Sequence, residues 1–168
     1  MIECKEIAKT AAAGVFEIST DGGKTWQVEP NIVVTEGLNY LLASALDGAA
    51  QKLTFYVALF GGNVTPQDTW TGANWVANAT EFTNYTESGR QLWQKGDVAA
   101  GALGNSATPA VFTVGTGGGV VRGAALVEAA AKSGTTGVLI AAARFASDKT
   151  LDETEELRVR YTISLTAA

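Results

Sequence analysis

The sequence predicts a mainly β protein, an antiparallel β-sandwich or barrel with one short α-helix at about residues 36–47. Three observations lead to this fold class. Short runs rich in Val, Thr and aromatic residues recur at a spacing of roughly eight to twelve residues. Glycine-rich turns separate these runs, and the chain has 19 glycines in 168 residues. Helical periodicity is clear in one segment only, so the helix is expected to pack over an end or edge of the sheets.

The first predicted unit is a hairpin. Residues 15–19 have the composition of a strand, and residues 26–28 begin the return strand. Between them, residues 21–23 are Asp-Gly-Gly, which tolerate the positive φ angles of a tight turn. Residues 1–14 are predicted to be an N-terminal arm, and residues 15–168 a single β-rich domain with one core.

The helix follows the hairpin. Thr35 can cap its first turn, and Gly48 lies where a left-handed helix end is expected. Leucines and an alanine at helical spacing define an apolar face, which consists of Leu38, Leu41, Leu42, Ala45 and Leu46. This pattern predicts that the leucine-bearing side of the helix is the side that packs on the sheets.

The other strands are predicted from their apolar patterns. Residues 53–60 are apolar at nearly every position, which is typical of a central strand covered on both faces. Residues 110–114 and 120–127 form two strands joined by a glycine turn, and a further strand begins at residue 138. The last strand, at residues 157–165, alternates apolar and polar side chains, so one face is buried and the other is wet.

A long loop excursion is predicted at about residues 63–97. It contains three of the four tryptophans among Asn, Thr and Gly, with one or two short strands. Ordered loops of this kind often contact a partner. Trp70, Trp75, Tyr85 and Trp93 are therefore candidate contact residues. If exposed, their rings would form a stacking platform for sugars. The alternative, which we favour over the sugar platform, is that these side chains fill the end of the sandwich or a subunit interface.

Composition excludes several functional classes. The chain has no histidine, so it lacks the side chain most often used for proton transfer near neutral pH, and we expect no enzymatic activity and no catalytic residue. The 12 basic and 17 acidic residues give a net charge of −5, and no basic cluster is longer than a pair, which argues against direct binding of nucleic acid. Cys4 is the only cysteine and cannot form an intrachain disulfide.

The hydropathy pattern bears on membrane contact, secretion and association of subunits. No apolar run approaches the roughly 20 residues of a membrane span, and the N-terminus lacks the basic-then-apolar order of a secretion signal. We therefore expect no membrane contact and assembly in a cytoplasm. The mean hydropathy of +0.11 is high for a free soluble domain, which indicates a homo-oligomer whose subunits cover part of the apolar surface.

Three short motifs suggest ligand sites, and each fails a simple check. Residues 22–25 resemble the end of a phosphate loop, but Ile18 stands where its first glycine is needed. Residues 115–119 begin like a dinucleotide fingerprint, but Val120 replaces the last glycine. The acidic run at residues 148–156 matches no calcium loop and is interpreted as a solvated turn. No cofactor and no metal are expected.

The order of several segments resembles a known family. Residues 31–42, followed by residues 55–60, resemble the pattern N-L-V-x-x-x-G-L-x-x-L-L … W-Y-V-G-L, with which a family of tailed-bacteriophage virion structural proteins begins. Residues 74–90, 105–112 and 134–139 agree with later segments in the family's order. The resemblance extends over roughly residues 26–166. It departs from the pattern at Gln91-Leu92-Trp93, where the family commonly has a proline after the arginine.

This resemblance implies a role in the virion. It implies a capsid decoration or cement protein that binds the outer shell, with the major capsid protein as partner. The contacts are expected in the segment before Val15 and in the excursion from Trp70 to Trp93, which adds Arg90 to the candidate contact residues. The alternatives are a neck, tail or head-fibre subunit, and a carbohydrate-binding module built on the exposed tryptophans.

Overall fold

The computed structural model describes residues 11–166 and is mainly β, with two antiparallel sheets in a sandwich-like arrangement. In chain order the elements are β1 (Ala11–Ser19), β2 (Gln27–Pro30), β3 (Ile32–Val33), α1 (Thr35–Leu46), β4 (Tyr56–Phe60), α2 (Trp75–Ala79), β5 (Glu81–Phe82), β6 (Gln91–Leu92), β7 (Ala102–Gly104), β8 (Ala110–Thr113), β9 (Gly119–Val127), β10 (Leu139–Leu151) and β11 (Glu156–Thr166). The predicted fold class is confirmed, and between residues 11 and 166 the sheets form a sandwich rather than a closed barrel.

The first sheet has the order β2-β1-β11, and both β7 and β8 pair with the far edge of β11. The second sheet has the order β3-β10-β9-β4, and both β5 and β6 pair with β4. The predicted strands at residues 110–114 and 120–127 exist, but the glycine turn between them carries the chain from the first sheet to the second. Gly117 and Gly118 have φ angles of +85° and +67°, which only glycine adopts readily.

The second sheet is buried on both faces. The alternation of side chains along β4 sends Val57 and Leu59 into the core between the two sheets, and Ala58 and Phe60 into a second apolar cluster on the opposite face. All four of these side chains are at most 1% exposed. The prediction of a central strand covered on both faces is therefore confirmed, although β4 begins at Tyr56 rather than at residue 53.

The first hairpin is held by one aspartate. Asp21 accepts hydrogen bonds from the Thr25 hydroxyl at 2.6 Å, from the Thr25 amide at 3.0 Å and from the Ser19 hydroxyl at 2.7 Å. These bonds, the Thr25 hydroxyl first, hold the pKa of the Asp21 carboxyl well below its usual range. Gly22 and Gly23 both have positive φ, as the predicted turn requires.

Helix α1 covers the predicted segment, but four of the five residues predicted to pack on the sheets face outward, and only Leu41 is half-buried. The side that packs on β10 carries Gly37, Tyr40 and Leu41, whereas Leu42 and Leu46 are 60% and 83% exposed. Gly37 explains this orientation, because a side chain there would overlap the backbone of Ile140 and the close contact therefore needs a glycine.

Both ends of α1 also differ in detail from the prediction. Val34 is the N-cap and Thr35 is the first helical residue, with no side-chain capping bond. Gly48 has the expected left-handed φ of +70° and follows the C-cap residue Asp47. The end of β11 also differs from the prediction. Leu165 belongs to the face predicted to be buried, but its side chain is 55% exposed.

Two further predictions are modified. Residues 11–14 form the first part of β1, paired with residues 163–166 of β11, so they are strand rather than arm. Residues 1–10 of the predicted arm, including Cys4, lie outside the described residues. The predicted loop excursion contains a short second helix, α2, and two short strands, β5 and β6. Among residues 11–166, none of the helices is long and apolar enough to cross a membrane.

The first prediction tests the packing of the second sheet. A side chain at Gly123 in β9 would overlap both the Phe60 ring and the Ala143 carbonyl oxygen. We expect Gly123→Ala to lower the free energy of unfolding by about 1–3 kcal/mol, because neither neighbour can move without disturbing the core. Urea unfolding measures this change. Gly96→Ala is the control, since its new methyl group meets only the Gly104 carbonyl oxygen at 3.9 Å. Equal stability of the two variants would contradict the described packing.

The second prediction concerns the pH dependence of the hairpin. A carboxyl whose pKa is lowered on folding stabilises the folded state above its ordinary pKa of about 3.9, and this stabilisation is lost as pH falls through the folded pKa. We therefore expect Asp21→Asn to lower the thermal midpoint at pH 7, and the difference from wild type to shrink as pH falls below about 4. Thermal scans across this range measure it. The control variant is Asp97→Asn, which replaces an exposed side chain outside the hairpin and should leave the thermal midpoint at pH 7 close to that of the wild type.

Candidate functional site

The five residues predicted to bind a partner are all buried within this chain. Their exposures are between 0% and 5%, for Trp70, Trp75, Tyr85, Arg90 and Trp93. The excursion that carries them lies on the second sheet and against the end of the core, so its aromatic side chains point inward. A partner would reach these side chains only after the covering segments had been displaced.

Trp70 and Trp75 belong to the cluster on the outer face of the second sheet. The Trp70 ring meets Phe60 of β4 edge-on, with centroids 6.3 Å apart. Trp75 begins α2 and is fully buried in the same cluster. Two glycines let this layer approach closely, since side chains at Gly62 and Gly72 would overlap the backbone of Ala79 and of residue 137 respectively. The two tryptophans therefore complete a core.

Arg90 and Glu81 form a buried ion pair, which we call the buried pair. Their side chains are 0% and 1% exposed, and the guanidinium donates to both carboxylate oxygens at 2.8 and 2.9 Å. Arg90 also donates to the carbonyl oxygens of Ala129 and Gly134, and its guanidinium lies 5.0 Å from the Trp75 ring centroid. The buried pair thus joins the excursion to the segment between β9 and β10.

Tyr85 and Trp93 lie in the core between the sheets. Tyr85 packs edge-on against Phe112 at 5.0 Å, and Trp93 donates from its indole nitrogen to the Tyr161 carbonyl oxygen at 3.0 Å. Burial, followed by the charge of Glu81, raises the pKa of Tyr85 above its ordinary value. Burial likewise raises the pKa of Tyr161. The excursion therefore supplies side chains to both apolar clusters.

The acidic run at residues 148–156 is engaged in local bonds. Asp148 pairs with Arg144 and Arg122, and hydrogen bonds from these two arginines, Arg144 first, lower its pKa. Glu155 accepts from the Asp152 amide at 2.7 Å. Across residues 11–166, no group of three His, Cys, Asp or Glu side chains is placed to hold a metal ion. The prediction of a solvated turn therefore holds only for residues 152–155, because residues 148–151 belong to β10 and Glu156 begins β11.

Two depressions on the surface are open to solvent. One of about 220 Å³ lies between α1 and the open end of the core and is lined mainly by apolar residues, among them Tyr40, Phe55 and Ile163. A more polar one of about 470 Å³ lies along β7, next to Asn105. Lys95, Asp97 and Ser106 are among the residues that line the second depression.

The feature that sequence reasoning missed is an exposed apolar face on α1, which we call the leucine face. It consists of Leu38, Leu42, Ala45 and Leu46, and its three leucines are 37%, 60% and 83% exposed. The signal was present in the sequence. Gly37, Tyr40 and Ser44 follow one another at helical spacing, and small residues together with one large aromatic are typical of a helix face in close contact with a sheet.

Comparison with known proteins gives no assignment of family. No protein-family model matches the chain, and a search of curated proteins finds no significant match. The resemblance to virion structural proteins thus remains a prediction from the residues that carry it.

The third prediction tests the buried pair. Glu81→Gln keeps the shape of the side chain but leaves the Arg90 charge buried without its counterion. We expect it to lower the free energy of unfolding by about 3–5 kcal/mol. The control is Glu156→Gln, which breaks an exposed pair with Arg158 and should cost at most about 1 kcal/mol. Urea unfolding followed by tryptophan fluorescence compares the two variants. A loss for Glu81→Gln as small as that of the control would contradict the role given to this pair.

Proposed function

We propose that this chain is a structural subunit of a tailed-bacteriophage virion, assembled in the host cytoplasm. Within that class we propose a capsid decoration protein that binds the outer surface of the shell through the major capsid protein. The observation that carries the proposal is where the charged and the large apolar side chains of the described residues lie. Buried charged groups are used in internal bonds, whereas large apolar side chains remain on the surface. Such a molecule acts through contact surfaces.

The internal bonds of the buried charged groups support this proposal. Glu81 and Arg90 neutralise each other. One carboxylate oxygen of Glu29 accepts a hydrogen bond from the Ala146 amide of β10 at 2.8 Å, and the other has no partner among the described residues. Glu29 lies on β2 of the first sheet, so its bond joins the two sheets. A decoration protein has to hold its shape while it bridges shell subunits, and cross-sheet bonds of this kind serve that requirement.

The exposed apolar side chains support adhesion. Outside the leucine face, Val28, Leu53, Val98 and Leu165 are between 55% and 82% exposed. These residues lie on several parts of the surface, which fits a subunit with more than one neighbour. Multivalent attachment of this kind can hold a subunit on a shell even when each contact is weak.

The alternatives differ in how well they fit the geometry. A carbohydrate-binding module needs exposed aromatic rings, and Trp70, Trp75 and Trp93 are buried, so no specific observation favours that class. A neck, tail or head-fibre subunit would share the fold and the adhesive surfaces. Position in the particle separates this alternative from the decoration protein.

The fourth prediction tests the proposal on particles. Heads produced without this protein are mixed with the purified chain and imaged by electron cryomicroscopy. We expect many regularly spaced copies over the outer shell. A single ring at the neck, or density on the tail, would support the alternative, and the absence of bound density anywhere would contradict a virion role.

The same experiment tests the arm. Removing residues 1–10 leaves β1 complete, whereas removing residues 1–14 would also delete four of its residues. We expect shell occupancy to fall when residues 1–10 are removed, while the circular dichroism spectrum stays that of the full chain. Unchanged occupancy would exclude the arm from the shell contact.

A further inference from the structure

The leucine face is a fixed feature of the fold. Glu36, in the first turn of α1, turns its carboxylate inward and accepts hydrogen bonds from the Gly72 and Leu139 amides, both at 2.7 Å. Tyr40 accepts a hydrogen bond from the Lys52 amide at 2.8 Å, and Gly37 rests against the backbone of Ile140. Three contacts on one side of α1 therefore prevent the helix from rotating to bury its leucines.

The spacing of the leucines allows the row to pair with the same row of a second copy. Leu38, Leu42 and Leu46 are four residues apart, so they form a single row along the helix with Leu42 at its centre. A two-fold axis through Leu42 relates the row to itself in the antiparallel direction. Leu38 of one copy then meets Leu46 of the other, and Leu42 meets its own counterpart. A surface that matches itself in this way is the requirement for an isologous interface.

The charges along α1 also fit a second copy. Between Glu36 and Asp47 the helix carries no charged side chain, and Glu36 is turned away from the leucine face. Pairing two such faces therefore desolvates no charged group of the row itself. In the antiparallel arrangement the two exposed Asp47 residues lie at opposite ends of the interface. A parallel arrangement would instead bring the two Asp47 residues together.

We infer that the leucine face of α1 is an interface between two copies of this chain, related by a two-fold axis near Leu42. The inference goes beyond shell binding, because the interface exists in the free protein without any capsid. The contact is confined to one helix of 12 residues and is small for a protein interface, so it forms a dimer that dissociates on dilution. On a shell, the same contact would join neighbouring copies at a high local concentration.

The fifth prediction tests this interface in solution. Sedimentation equilibrium of the full chain over a wide range of concentration should show a monomer–dimer equilibrium. Leu42→Asp places two carboxylates at the two-fold axis and should weaken the dimer by about tenfold or more. The matched control is Val28→Asp, because Val28 is also 60% exposed but lies on β2 of the first sheet, away from α1. Val28→Asp should dimerise like the wild type.

A cross-linking experiment provides the second readout. In a Cys4→Ser background, Leu42→Cys should form a disulfide-linked dimer under mild oxidation, since each new thiol faces its own counterpart across the axis. Val28→Cys in the same background should cross-link much more slowly. A wild-type chain that is monomeric at every concentration, equal effects of the two aspartate variants, or equal rates of cross-linking would each overturn the inference. None of these outcomes depends on whether the protein binds a shell.

Discussion

The burial of both faces of the second sheet is the constraint on which the rest of the structure depends. One face of β4 and β9 meets the first sheet, and the other has to be covered by something else. The excursion between β4 and β7 provides that cover, with Trp70 and Trp75 as its largest side chains. The aromatic residues of this segment are therefore committed to packing, and they are not free to serve as a contact surface.

A segment that covers a sheet has to be anchored, and the buried pair is the anchor. Arg90 reaches Glu81 and the backbone between β9 and β10 at once, which fixes the excursion to a segment about 40 residues further along the chain. The net stability that a buried pair adds is small, because the cost of removing both charges from water offsets most of their attraction. The close backbone approaches at Gly62 and Gly72 also anchor the excursion.

Part of this arrangement is visible in the sequence, and the reasons are physical. The apolar run at residues 53–60 identifies a strand covered on both faces, and the alternation in the last strand identifies a sheet with one wet face. The orientation of α1 could not be obtained from its leucines alone, because apolar periodicity does not tell which face is buried when both faces carry apolar residues. Gly37 decides it through a backbone contact with β10. The burial of Trp70, Trp75, Tyr85, Arg90 and Trp93 depends on contacts between distant segments, which composition does not encode.

Hydrogen exchange of the excursion tests this account most directly. The amides of Arg90 and Trp93 are hydrogen-bonded to the carbonyls of Ala130 and Phe55 outside the excursion, and the amides of Gly61 and Gly62 are bonded to residues 80 and 79 within it. If the excursion is part of the core, these amides exchange as slowly as those of β4 and β9, and they become exposed only in global unfolding. Exchange of these amides within seconds, while β4 and β9 stay protected, would show that the excursion opens on its own. That result would contradict the account and would return the aromatic side chains to the surface as contact residues.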